Sequence, residues 1–233
     1  METRKHIVIL AAGQYPTHPV PLRALHEAHF VVCCDSAYTQ LSTFLPALQA
    51  CDRSGANFQL STPFVVIGDG DSLSNEEKHQ LGDRWIHVAE QDYNDLHKAM
   101  DWATQKFSIF NFQFSILAAT GRREDHTLGN ISYLVTFAEE HPGADIEMLT
   151  DYGRFVAFRG SRTFATFPGQ QLSIFAMDPS VPFSATNLRW PLDGFRARRW
   201  WQATLNEALD DTVTMHSDGW LIVFQTYEAK SEK

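Results

Sequence analysis

What most constrains this chain is the way its short apolar runs are spaced and how they end. Six of them, Ile7 to Leu10, Phe30 to Cys34, Phe64 to Ile67, Ile86 to Ala89, Phe114 to Ala119 and Ile146 to Leu149, alternate with longer amphipathic stretches. Unbroken apolar runs of this length suit strands buried on both faces, and the stretches between them suit the helices that cover such strands. Leu96, Ala99, Met100, Ala103 and Phe107 recur at helical spacing, as do Leu128, Ile131, Leu134, Val135 and Ala138.

These features predict an α/β first domain: an open parallel sheet with helices on both faces, Rossmann-like in architecture. Beyond about Tyr152 the rhythm changes. Phe155 to Phe158, Phe164 to Phe167, Leu172 to Ala176, Thr212 to His216 and Leu221 to Phe224 are separated by turn residues, which predicts a smaller all-β, sandwich-like domain. The boundary falls near Asp151 to Gly160, giving domains 1–152 and 153–233.

The polar residues at the ends of the runs carry the chemistry. Phe30 to Cys34 leads into Asp35 and Ser36, and Phe64 to Ile67 into Gly68-Asp69-Gly70-Asp71-Ser72. Ile86 to Ala89 leads into Glu90-Gln91-Asp92-Tyr93-Asn94-Asp95, and Phe114 to Ala119 into Thr120-Gly121-Arg122-Arg123-Glu124-Asp125-His126. In a parallel sheet all carboxyl ends lie along one edge, where ligands bind at the switch in strand order. Four distant segments thus converge on one crevice.

Carboxylates crowded there repel one another unless a cation shares the site. Asp69 and Asp71, on either side of a glycine, and Asp95, in the first turn of the following helix, are the candidate ligands. A donor set of carboxylates without histidine or thiolate selects magnesium, and magnesium in such a cleft selects polyphosphate. Arg122, Arg123 and His126 stand at a helix start, where backbone N–H groups and the helix dipole also favour anions. Phosphoryl-type transfer is the leading chemistry.

Each element has a plainer reading taken alone. Gly-Asp-Gly-Asp-Ser is a common solvated turn, Asp92 and Asn94 are good helix caps, and Arg122 to His126 is a charged helix entry. Leu73 and Ser74 break the calcium-loop pattern, and Leu73 also breaks a dinucleotide fingerprint. Only the placement of all four segments at strand ends tips the balance.

With 28 acidic against 19 basic residues, the formal charge of −9 opposes a nucleic-acid partner. Arg189-Trp190 and Arg196 to Trp201 interleave basic and aromatic residues, which suits a local wall for an aromatic ligand better than a nucleic-acid platform. Three cysteines, two of them adjacent at Cys33 and Cys34, form no disulfide framework and suit the cytoplasm. The apolar stretch after Arg4-Lys5-His6 is too short for a secretory signal, and no segment approaches a membrane span.

Taken together, the motifs resemble those of the thiamine pyrophosphokinase family along nearly the whole chain. Asp35-Ser36-Ala37 resembles A-D-G-G, and Gly68-Asp69-Gly70-Asp71-Ser72 resembles G-D-F-D-S. Gln91 to Leu96 resembles Q-D-x-T-D-L, and Gly121 to Asn130 resembles G-G-R-x-D-H-T-L-A-N. In the second half, Leu172 to Phe175 is similar to an S-L-F element, and Thr204-Leu205-Asn206-Glu207 to a thiamine-binding S-N. The chain departs from the pattern at Gly70, where an aromatic is expected, at Asn94 for threonine, Arg122 for glycine and Leu205 for serine.

The resemblance implies an enzyme that transfers diphosphate from ATP to thiamine, releasing AMP. It implies magnesium on Asp69, Asp71 and Asp95, with Asp71, Asp92, Asp95, Arg123 and Asp125 serving catalysis. Nucleotide contacts would come from Asp35, Ser36, Asp69, Arg122, Arg123, Asp125 and His126. Gln91, Asn94, Thr204 and Asn206 would meet thiamine, with Trp200, Trp201 and Trp220 as candidate stacking partners. It also implies a homodimer with each site shared between one subunit's first domain and the other's second. Two alternatives stay open: a diphosphokinase for another alcohol such as a hydroxymethylpterin, and a nucleotide-binding module without catalysis.

Overall fold

A computed structural model describes residues 5–38, 40–41 and 62–229. The class is mixed α/β with a strand-rich C-terminal part. The chain divides into two compact units, one of Met1–Tyr133 with Glu140–Asp151, the other of Leu134–Glu139 with Tyr152–Lys233.

The first unit is built on β1 (Lys5–Leu10), β2 (Phe30–Cys34), β3 (Phe64–Gly68), β4 (Trp85–His87), β5 (Phe112–Leu117) and β6 (Asp145–Leu149). Every neighbouring pair is parallel, in the order β6-β5-β1-β2-β3-β4. Ile7, Val8, Ile9, Val31, Val32, Val66, Ile67, Phe114 and Ile116 have no exposed surface, as strands sandwiched on both faces require. Cys33 and Cys34 lie in the same layer as free, buried thiols, and burial pushes the Cys33 thiol up to about 12. The chain starts in the middle of the sheet at β1, runs outward through β2, β3 and β4, and returns on the other side of β1 with β5. The reversal at β1 and β5 is the switch point.

Helices α1 (Pro19–His26), α2 (Asn75–Leu81), α3 (Asp95–Lys106) and α4 (Glu124–Glu140) occupy the connections. The apolar periodicities at Leu96 and Leu128 lie in α3 and α4. Helix α2 buries only Leu81 and is secured by a reciprocal cap, in which Ser74 and Glu77 each bond the other's backbone N–H.

In the second unit, β7 (Gly153–Ala165) pairs antiparallel with β12 (Thr212–Ala229) along nearly its whole length. The runs at Phe155 and Phe164, expected as separate strands, are two parts of β7, and those at Thr212 and Leu221 are two parts of β12. The other edge of β12 changes partner. Met215–Ser217 pairs with β9 (Phe183–Ala185), whereas Leu221–Gln225 pairs with β8 (Gln170–Ala176). The irregularity between Ser217 and Leu221 marks the change. Strands β10 (Leu192–Phe195) and β11 (Asn206–Glu207) add to β9 and β8. Val156, Phe158, Phe164, Ile174, Phe183, Met215 and Val223 form a continuous core within this unit.

Candidate functional site

At the switch point, the loops after β1 and β5 are joined backbone to backbone. Ala11 N–H donates to Leu117 O at 2.9 Å and Gln14 N–H to Thr120 O at 2.8 Å. A Cβ on Gly13 would come within 2.4 Å of the carbonyl oxygens of Ala118 and Thr120, so glycine is what allows this approach. Gly121 turns the second loop at φ +86°. Between the loops lies a pocket of about 280 Å³, lined by Gly13, Ser36, Thr120, Arg122, Arg123 and His126 among others.

The cations of this pocket are held from the side. Arg122 Nη2 donates to Gln40 Oε1 at 2.8 Å, and Gln40 Nε2 reaches Ala12 O at 3.3 Å. Arg123 grips Asp125 through two bonds of 3.1 and 2.6 Å. That bond, with the His126 backbone, holds the Asp125 carboxyl down at about 2. Asn130 Nδ2 donates to Ala119 O at 2.8 Å and Asn130 Oδ1 accepts from Asn94 Nδ2 at 3.3 Å, linking the start of α3 to the β5 loop. Asn94 also caps α3, accepting from His97 N–H at 3.0 Å. A cap is thus one role that Asn94 fills in this chain.

The acids gather at the neighbouring strand ends. Asp35, 1% exposed, accepts from Ser36 N–H and, at 3.1 Å, from Gly70 N–H. Asp69 Oδ1 accepts from Asp71 N–H at 3.0 Å and its Oδ2 from Gln91 Nε2 at 3.0 Å; these two bonds hold its carboxyl below the usual range. Asp95 is pushed the other way, to about 7, first by burial and then by the charge of Asp35 and a hydrogen bond with it. Asp69 adds a weaker push in the same direction. Lys98 Nζ stands 3.5 Å from Asp95 Oδ1.

The three carboxylates that interact are therefore Asp35, Asp69 and Asp95. Asp71, expected as a ligand beside Asp69, is exposed and supplies its N–H to Asp69. Among the described residues no three such side chains are arranged to hold a metal ion. The donor chemistry nonetheless suits a hard cation: all oxygens, buried or half-buried, with Asp35 and Asp69 both opposing the ionisation of Asp95. Asp92 is exposed between β4 and α3, its N–H turned to Glu90. Sequence reasoning did not single out Lys98, Gln40 or Asn130, because a helix lysine and isolated amides carry no spacing signal of their own.

In the second unit, the residues expected to meet the acceptor lie around a short 3₁₀ turn, Trp200–Ala203. Trp200 and Trp201 are exposed, Trp200 edge-on to Phe175 at 6.0 Å, and Thr204 Oγ1 bonds Trp201 O. Leu205 is held at φ +57° with its side chain exposed. Asn206, only 4% exposed, has its side chain committed to backbone. Its Oδ1 accepts from Trp190 and Glu207 N–H, and its Nδ2 donates to Trp190 O at 2.8 Å. These bonds hold the chain that carries Trp190. Trp220 lies in β12 at the partner change, away from the 3₁₀ turn in sequence.

The model of the thiamin pyrophosphokinase catalytic domain matches residues 22–147, and that of the thiamin pyrophosphokinase substrate-binding domain matches 153–224. Thiamin pyrophosphokinase 1 of Caenorhabditis elegans is 29% identical over 80 residues, a match spanning 33% of this chain and 32% of that protein. Thiamine pyrophosphokinase 1 of Oryza sativa is 26% identical over 210 residues, covering 84% of this chain and 78% of the relative. The crystal structure of thiamine pyrophosphokinase from Bacillus subtilis superposes with a TM-score of 0.71 at 21% identity, over 95% of this chain and 99% of that one. With a switch-point pocket flanked by arginines, carboxylates at the neighbouring strand ends, and both domain models matched in order, the chain belongs to the thiamin pyrophosphokinase family of ATP-dependent diphosphotransferases.

Proposed function

We propose that this protein transfers diphosphate from ATP to the hydroxyl of thiamine, giving thiamine diphosphate and AMP. The observation that carries this reading is the single sheet edge that holds both the Arg122–Arg123–His126 pocket and the Asp35–Asp69–Asp95 cluster. In this scheme the thiamine oxygen attacks the β-phosphorus in line, the bond from that phosphorus to the bridging oxygen breaks, and AMP leaves with the oxygen. Positioning and charge neutralisation do most of the work in such transfers.

Arg122, Arg123 and His126 would receive phosphate, with Asp125 fixing the Arg123 guanidinium and Ser36 lining the same pocket. Asp69 and Asp95, with Asp71 or Asp35, would hold magnesium, which supplies charge neutralisation on the polyphosphate. Asp92, exposed and outside the cluster, is the candidate to take the hydroxyl proton. Gln91, Asn94 and Thr204, with Trp200, Trp201 or Trp220, are read as acceptor contacts, and Asn206 as the residue that presents Trp190. We read residues 1–152 as an open Rossmann-like catalytic domain, and residues 153–233 as a sandwich-like domain for thiamine binding and dimerisation. The enzyme is read as a cytoplasmic homodimer with shared sites; among the described residues no helix is long and apolar enough to cross a membrane.

One observation favours keeping a second acceptor in view: Leu205 stands where the family pattern has a serine, without a hydroxyl to offer. The test is incubation with ATP, magnesium and a panel of alcohols, followed by identification of the nucleotide product. AMP formed with thiamine alone supports the proposal, AMP formed only with another alcohol transfers it to that acceptor, and ADP or no turnover refutes it.

A further inference from the structure

Lys98 is placed where a lysine is seldom found. It follows Asp95 by three positions on α3, so the two side chains are neighbours on the helix surface. On most helices such a lysine extends to water, because an ammonium is strongly hydrated. Here the Lys98 side chain is 4% exposed, and its Nζ lies 3.5 Å from Asp95 Oδ1. A buried ammonium needs a partner of opposite charge, and a group of opposed carboxylates needs a cation. The Asp35–Asp69–Asp95 cluster and Lys98 meet both needs, and the Lys98 charge opposes the upward push on Asp95.

We infer that Lys98 is the resident counter-cation of the acidic cluster, and that it holds off a bare divalent ion until the ion arrives on a nucleotide. The inference rests on reading the cluster as a divalent-cation site. A free ion sharing Asp95 would lie close to the ammonium, and the two positive charges repel in a site of reduced dielectric. A metal–nucleotide complex brings phosphate charge with it, which offsets that repulsion. Lys98 is thus a positioning residue that makes nucleotide and metal enter together. It also keeps the carboxylates in place in the ligand-free enzyme.

The test is Mn²⁺ binding to the full-length protein, followed by the fall in the free-ion paramagnetic signal, with and without α,β-methylene-ATP. Wild type should bind Mn²⁺ weakly alone and at least about tenfold more tightly with the analogue, the size set by one nearby like charge. Lys98→Met should bind Mn²⁺ alone about tenfold or more tightly than wild type, and its metal-free form should melt lower and recover on adding Mg²⁺. Lys98→Arg keeps the charge and should keep bare-ion binding weak. Wild type that binds Mn²⁺ equally well with and without the analogue overturns the inference, even if Lys98→Met does not fold. A folded Lys98→Met with unchanged bare-ion affinity overturns it too. Absence of Mn²⁺ binding under both conditions instead removes the cation-site reading itself, and this inference with it.

Discussion

Gly68, the last residue of β3, offers a sharp test of how Asp35 is held. A Cβ built on Gly68 lies 2.7 Å from Asp35 Cγ, 2.8 Å from its Cβ and 2.9 Å from its Oδ2. Gly68 has no left-handed backbone to protect, so Gly68→Ala introduces this contact and little else. In a strand, alanine in place of glycine should by itself stabilise by about 0.5–1 kcal/mol. Against that, overpacking costs about 1–3 kcal/mol if Asp35 stays in place. If Asp35 swings away, it gives up the N–H bonds from Ser36 and Gly70, each worth about 1.5–3 kcal/mol to a charged acceptor. The expected net loss is about 0.5–2 kcal/mol if Asp35 stays and more if it swings away, with nucleotide affinity falling alongside as the cluster is displaced. Urea unfolding of the ligand-free protein measures the first, and calorimetric titration with α,β-methylene-ATP the second. A variant within about 0.5 kcal/mol of the parent, with the same affinity for the analogue, would show that Asp35 is not locked as described.

Gly129→Ala is the opposite case: it lies inside α4 with nothing within 4 Å of its added methyl, so stability should rise by about 0.5–1 kcal/mol in the same unfolding assay. Asn206→Ala strips three bonds from the backbone of Trp190 and Glu207 and should cost about 2–3 kcal/mol, whereas a substitution of exposed Trp201 should leave the melting temperature alone. Asp151 accepts from Thr17 N–H, Thr17 Oγ1 and His18 N–H; burial pushes its carboxyl up, but these bonds outweigh it and leave the pKa below the ordinary value. Its contribution is therefore complete above the unfolded value of about 3.9 and is lost as pH falls through the folded one. Asp151→Asn should flatten the loss of stability below about pH 4, read from melting temperatures across an acid series.

Much of the first unit was legible because its signals are local. Ile7 to Leu10 and Val31 to Cys34 are buried on both faces, so continuous apolarity alone marks them, and the acids that follow are placed by the strands themselves. Helix α2 escaped periodicity because it buries a single leucine; only Ser74 and Glu77, at capping-box spacing, announce it. In β7, Arg159-Gly160-Ser161-Arg162 reads as a turn between two strands. Gly160 does adopt φ +84°, yet it faces Ser217 across the ladder and the strand continues. The engagement of Asn206 with Trp190, and of Lys98 with the acids, depends on surroundings that no spacing encodes. Asp69 and Asp71 are paired by adjacency in sequence, whereas Asp35 reaches Asp69 because β2 and β3 are neighbours in the sheet.

The partner change along β12 bears on the order in which the chain acquires structure during synthesis. The six strands of the first unit are all present once Leu149 has emerged, and β1 already has β2 and β5 to pair with. Strand β7 gains its long antiparallel partner late: Gly153 pairs with Thr226 and Ala165 with Thr212. Until β12 leaves the ribosome, β7 and the inner edges of β8 and β9 carry open backbone groups that any other strand can template on. Pairings between segments so far apart in sequence also form slowly. A growing chain therefore exposes a sticky, half-built C-terminal unit after the strands of the first unit have all emerged. The burden on chaperones should fall on that interval.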